Sequence, residues 1–67
     1  MKAWYIIVKI FFVPYASIGP YDSQQECTQA LDAYSVEYQG RYDRGERLVF
    51  LGKTVNPGHV KAKCEFK

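Results

Sequence analysis

Residues Trp4 to Val13, WYIIVKIFFV, form the densest apolar stretch of the chain and are followed by Pro14. The stretch predicts a strand, because β-branched and aromatic side chains suit a pleated surface and proline cannot donate to a ladder. Its even positions, Trp4, Ile6, Val8, Ile10 and Phe12, are all apolar, whereas its odd positions, Tyr5, Ile7, Lys9, Phe11 and Val13, include its one charge. Successive strand residues point to opposite faces, so the even set is expected to face the core. A turn near Pro14 and Tyr15 then returns the chain through a short strand, Ala16 to Gly19, which Pro20 ends.

The pattern changes period at Ser23-Gln24-Gln25-Glu26. This S-x-x-E sequence is a capping box, in which the Ser23 hydroxyl and the Glu26 carboxylate each satisfy a free backbone N–H at a helix start. Cys27, Ala30, Leu31, Tyr34 and Tyr38 then recur at helical spacing along one stripe. Gly40 is the expected stop, and Arg41 to Arg47 reads as a polar surface loop. Leu48 to Val55 is expected to be a strand, irregular at Gly52, and Asn56-Pro57-Gly58 a turn into a hairpin. The second arm alternates, with Val60, Ala62, Cys64 and Phe66 facing the helix and His59, Lys61, Lys63, Glu65 and Lys67 facing away. The expected fold is a small single α+β domain over residues 1–67. Its element order is ββαββ, with one amphipathic helix packed on one face of an antiparallel sheet of three to four strands.

With 67 residues, 48% of them apolar and 16% aromatic, the chain holds one modest core and is not a disordered tail. Domains this short bury only about 60% of the surface that the unfolded chain exposes. Nine basic residues against seven acidic ones give a net charge of +2, too small to imply a polyanionic partner by itself. The charge divides along the chain, net −2 over residues 1–39 and net +4 over residues 40–67. Lys2 followed by the apolar run to Phe12 has the outline of a secretory signal, but Lys9 interrupts it and the nearby cleavage positions are poor. The run is also shorter than the ~20 residues of a membrane-spanning helix. No membrane association is expected, and the expected location is cytoplasmic, with secretion as the alternative.

Candidate chemistry is sparse. Cys27 on the inner helix stripe and Cys64 on the inner strand face belong to one core layer, as a disulfide or as two packed thiols according to the redox compartment. There is no C-x-x-C pair for redox or zinc chemistry. His59 is the only histidine and sits beside a Pro-Gly turn, where it reads as a solvated side chain, since a lone histidine meets little of the geometry that nucleophilic catalysis demands. The glycines are too dispersed for a phosphate-binding loop. The chain therefore reads as a non-enzyme with no metal and no cofactor.

What remains is binding. A single helix covers one face of a sheet, leaving Tyr5, Ile7 and Phe11 as apolar surplus on the other, and contiguous exposed apolar surface marks interfaces. Glu26, Asp32 and Glu37 give the helix an acidic outer side suited to a basic partner. These six residues point to a non-catalytic protein-binding module, or to self-association. Its size and lack of catalytic chemistry are those of small phage or mobile-element inhibitors of the anti-defence type, which act by occluding a partner's surface. One alternative is a nucleic-acid-binding accessory protein using Arg41, Arg44, Arg47, Lys61, Lys63 and Lys67. Another is a small secreted protein stapled by Cys27 and Cys64.

Overall fold

Three strands and one helix form the main body. The structure, a computed structural model, describes residues 2–67. Strand β1 (Trp4–Ile10) lies between β2 (Val13–Tyr21) and β5 (Val60–Phe66) in an antiparallel sheet of order β2-β1-β5. The stretch that resembles a signal segment is thus the central strand. Its even side chains face the helix as the alternation predicts, and Ile6 and Ile10 are fully buried. Phe12 departs from that pattern and is 84% exposed. β1 ends at Ile10 because Phe11 and Phe12 form a two-residue loop, with Ile10 paired to Val13 across it.

The return strand is consequently longer than expected and carries both Pro14 and Pro20. It tolerates them because β2 is an edge strand with one side free of ladder bonds. The register shifts where Val8 pairs with Ala16 and Lys9 with Pro14, leaving Tyr15 as an inserted residue. Such a bulge re-aims its side chain, and the Tyr15 ring meets Phe50 edge-on at 5.3 Å between centroids. Glycine at position 19 follows from crowding: a Cβ there would lie 2.8 Å from the Tyr5 ring and 3.0 Å from the Trp4 carbonyl oxygen.

Helix α1 (Gln24–Asp43) begins at the capping box. Glu26 N–H donates to Ser23 Oγ at 3.1 Å, and Glu26 Oε2 accepts from the Asp22 N–H at 3.2 Å, one residue earlier than the usual reciprocal bond. Gly40 does not end it. Arg41 and Asp43 extend the helix by bonding one turn back, to Glu37 and Gln39. Arg44 caps it, and Gly45, at φ 92°, makes the left-handed exit that Gly40 was expected to supply.

The segment Leu48–Val55 is not one strand but a hairpin of its own. β3 (Leu48–Phe50) and β4 (Lys53–Val55) pair across Leu51-Gly52 as a separate two-stranded sheet. Asn56-Pro57-Gly58 leads into a 3₁₀ turn over Pro57–His59 rather than a hairpin. β5 then pairs with β1, Ile6 opposite Cys64, and not with the strand before it. The buried edge of β1 offers a longer ladder than the three residues of β4.

The core is thin. Among the described residues Ile6, Ile10, Cys27 and Val55 are the fully buried side chains. The Cα radius of gyration is 12.6 Å, against roughly 11 Å for a compact chain of this length, and the extents are 37 × 22 × 14 Å. A disulfide joins Cys27 to Cys64, with the Cα atoms 6.2 Å apart and a sequence separation of 37. Closing a loop of that length removes roughly 3–4 kcal/mol of unfolded-state entropy, against a total stability of roughly 3–10 kcal/mol for a domain of this size. Reduction is therefore expected to lower the midpoint of thermal unfolding by at least about 10 °C. Circular-dichroism melts with and without a phosphine reductant measure this, and coincident melts would show that packing alone holds α1 to the sheet.

Candidate functional site

Strand alternation divides the candidate residues between two sides of the sheet. Cys64 reaches the helix, so the odd residues of β5, and the odd residues of β1 paired with them, point the other way. That outer face carries Tyr5 opposite Glu65, Ile7 opposite Lys63 and Lys9 opposite Lys61, with Lys67 at its end. Tyr5 and Ile7 therefore share a face with Lys61, Lys63 and Lys67, the set expected to serve a rival function, while Phe11 lies in the turn beyond the end of that ladder. The three apolar side chains are half-buried rather than open, because their neighbours lie against them. Lys67 Nζ sits 6.0 Å from the Tyr5 ring centroid, and Phe11 is bracketed by the His59 ring at 4.8 Å and Lys53 Nζ at 5.9 Å.

The charge asymmetry runs between faces rather than between chain halves. Lys9, Lys53, Lys61, Lys63 and Lys67 meet one carboxylate, Glu65, on or bordering the outer face, for net +4. α1 and its flanks hold Asp22, Glu26, Asp32, Glu37, Asp43 and Glu46 against Arg41, Arg44 and Arg47, for net −3. The acidic trio is less available than its sequence implies. Glu26 is engaged in the capping box, and Glu37 pairs with Arg41 at 2.7 Å because the helix runs one turn further than expected. Asp32 is exposed.

The arginines do not join the lysines. Arg44 pairs with Glu46 at 3.3 Å. The Arg47 guanidinium lies 4.0 Å over the Tyr42 ring and donates to the Tyr42 and Glu46 carbonyl oxygens at 2.9 and 3.0 Å. These contacts close the helix C-terminus. Arg41 and Arg47 also border an open groove of about 480 Å³ on the helix side of the sheet, floored by Ile6, Val8, Ile18 and Val60. The groove exists because α1 is bonded to the sheet near its start, while Tyr34 further along is half exposed.

Highly exposed apolar side chains lie at the two hairpin turns, whose positions sequence reasoning missed, and at Val36 on α1, which is 74% exposed. Phe11 and Phe12 have φ of 53° and 65°, and Leu51 and Gly52 have φ of 53° and 75°. Positive φ at both central residues is what a two-residue loop of type I′ requires, normally with asparagine or glycine. Gly52 is the one sequence signal for either turn. Phe12, Leu51 and Val49 are 84%, 67% and 63% exposed. The Lys53 and Phe50 contacts with Phe11 and Tyr15 bring the hairpins together.

Among the described residues, no three His, Cys, Asp or Glu side chains gather as metal ligands, and no helix is long and apolar enough to cross a membrane. The β3–β4 hairpin is anchored to α1 by Tyr38, whose hydroxyl donates to the Val55 carbonyl at 3.2 Å. Burial, then the neighbouring Tyr42, push its pKa above the ordinary value of 10.0, with Arg47 acting in the opposite sense. A raised folded-state pKa means that the neutral phenol supports the fold; that support is complete below the ordinary value and is lost as pH rises through the folded one. Thermal stability should thus fall above about pH 10 more steeply in wild type than in Tyr38→Phe, which should be about 1 kcal/mol less stable at neutral pH. Parallel alkaline pH profiles would reject the assignment.

Comparison of this chain with protein families, curated proteins and solved structures found no match.

Proposed function

We propose that this chain is a non-catalytic protein-binding module, an occluding inhibitor of the small phage or mobile-element type, which engages its partner through the apolar turns Phe11-Phe12 and Leu51-Gly52. The observation that carries this reading is the backbone at those turns. Phe11, Phe12 and Leu51 all adopt positive φ, a conformation costing about 1–2 kcal/mol for each residue with a Cβ. Such a sum is a large fraction of the stability of a domain this small. Folding gains little in return, since Phe12 and Leu51 point into solvent. Strain held at an exposed apolar tip is the signature of a surface kept for contact. Aromatic side chains such as Phe11 and Phe12 are also enriched at the cores of protein interfaces.

Besides holding the fold, the Cys27–Cys64 bond bears on location. It persists in an oxidising compartment and opens in a reducing one, so the secreted alternative stands beside the cytoplasmic one.

The turns allow a test in which stability and function move in opposite directions. Phe12→Gly and Leu51→Asn install residues that accept positive φ, so each should raise unfolding free energy by about 1 kcal/mol. The double variant should nevertheless lose partner capture. Chemical cross-linking in a host extract, with wild type and double variant side by side, followed by mass spectrometry and sedimentation, reads this out. Partners retained equally by the stabilised variant would remove the turns from the interface.

A further inference from the structure

We propose that the outer face of the three-stranded sheet, the side turned away from α1, binds single-stranded nucleic acid. It borders the turn proposed above to contact protein and shares Phe11 with it, while the exposed tips Phe12 and Leu51 lie outside it.

Lys9 and Lys61 stand directly opposite each other on adjacent strands. Like charges in that position repel and destabilise a sheet. Among the described residues, neither makes an ion pair. Lys63 extends the row by one pleat, and its partner is Glu65 of the same strand at 3.3 Å, with both side chains exposed. Lys67 closes the row, roughly 20 Å from Lys61 at about 3.3 Å per residue. A line of cations on a strand is complementary to a chain of regularly repeated negative charges, and a phosphate backbone relieves the Lys9–Lys61 repulsion.

The aromatic rings distinguish this polyanion from others. Tyr5 lies on this face and Phe11 in the turn where β1 ends, and each has a lysine ammonium about 6 Å from its ring centroid, Lys67 for Tyr5 and Lys53 of β4 for Phe11. Both rings are therefore within reach of a cation at the sheet or at its turn end. An unpaired base can take the place of each ammonium against the ring, while the displaced lysine, on its flexible stem, moves to the adjoining phosphate. Stacking is indifferent to base identity. A duplex hides its base faces within its own stack, and an acidic protein surface would use the lysines while leaving the rings idle.

The test is fluorescence anisotropy of a labelled oligothymidylate of about 15 nucleotides, across a salt series and with the folded state checked by circular dichroism. Wild type should bind with strong salt dependence. Lys61→Glu with Lys63→Glu should abolish binding near physiological salt, and neutral Gln replacements at the same two positions should flatten the log–log slope by about 1.4, at about 0.7 per phosphate. Lys9→Glu places an opposite charge across from Lys61, so it should preserve the fold while weakening binding. Phe11→Asn, which suits positive φ and removes the ring, should weaken binding at least about fivefold. Phe12→Gly with Leu51→Asn should leave oligonucleotide binding intact, which separates this proposal from the turn-mediated one. The proposal is overturned by a wild type that does not bind, by equal affinity for the duplex, by indifference to Phe11→Asn, or by polyglutamate competing as well as unlabelled oligonucleotide.

Discussion

Tethering α1 to β5 through Cys27 and Cys64 is the constraint on which the two-layer arrangement rests. A three-stranded sheet and a helix bury little between them when fully buried side chains are as few as Ile6, Ile10, Cys27 and Val55. Apolar burial at about 25 cal/mol per Å² needs area to offset chain entropy, and small domains run short of it. A covalent link reduces the entropy of the unfolded chain instead. It also sets where the helix touches the sheet. The bond holds the start of α1 against β5, Tyr38 ties the later part to the β3–β4 hairpin, and the apolar groove opens between those attachments.

Fixing that layer also fixes what the other side of the sheet displays. Once Cys64 points to the helix, period-two alternation turns Lys61, Lys63, Glu65 and Lys67 outward, and the ladder with β1 adds Tyr5, Ile7 and Lys9 to the same plane. The cationic face and the acidic helix are thus products of pleat and pairing. Exposed ion pairs such as Lys63–Glu65 contribute little to stability, so the charge pattern adds little to folding.

The two hairpin turns run against the general economy of a marginal domain. Glycine and asparagine enter positive φ at low cost, yet Phe11, Phe12 and Leu51 occupy it here. They lie at the sheet's turn end, where Phe11, next to Lys53 and His59, stands between the apolar tips and the basic face. Local backbone preference and exposed surface conflict at these turns, and such conflicts concentrate at functional sites.

The sequence by itself determined the strand character of Trp4–Ile10, the helix start at Ser23, the fold class and the shared layer of Cys27 and Cys64. Each rests on local chemistry: side-chain alternation, a capping box, or two cysteines on inward-facing positions. The helix end was not legible, because Gly40 and Gly45 are equally competent stops and the i,i+4 bonds of Arg41 and Asp43 decide between them. Nor was the Phe11-Phe12 turn, which has no turn-forming residue and is imposed by antiparallel pairing of the strands on either side. The partner of β5 was a choice between the short β4 and the longer β1, settled by how many ladder bonds each could make. Alternation turned Tyr5, Ile7 and Lys9, and separately Lys61, Lys63 and Lys67, away from the helix; only the tertiary structure could set them side by side, since pairing β1 with β5 joins residues such as Lys9 and Lys61, more than fifty positions apart, and depends on register, a property of two strands together.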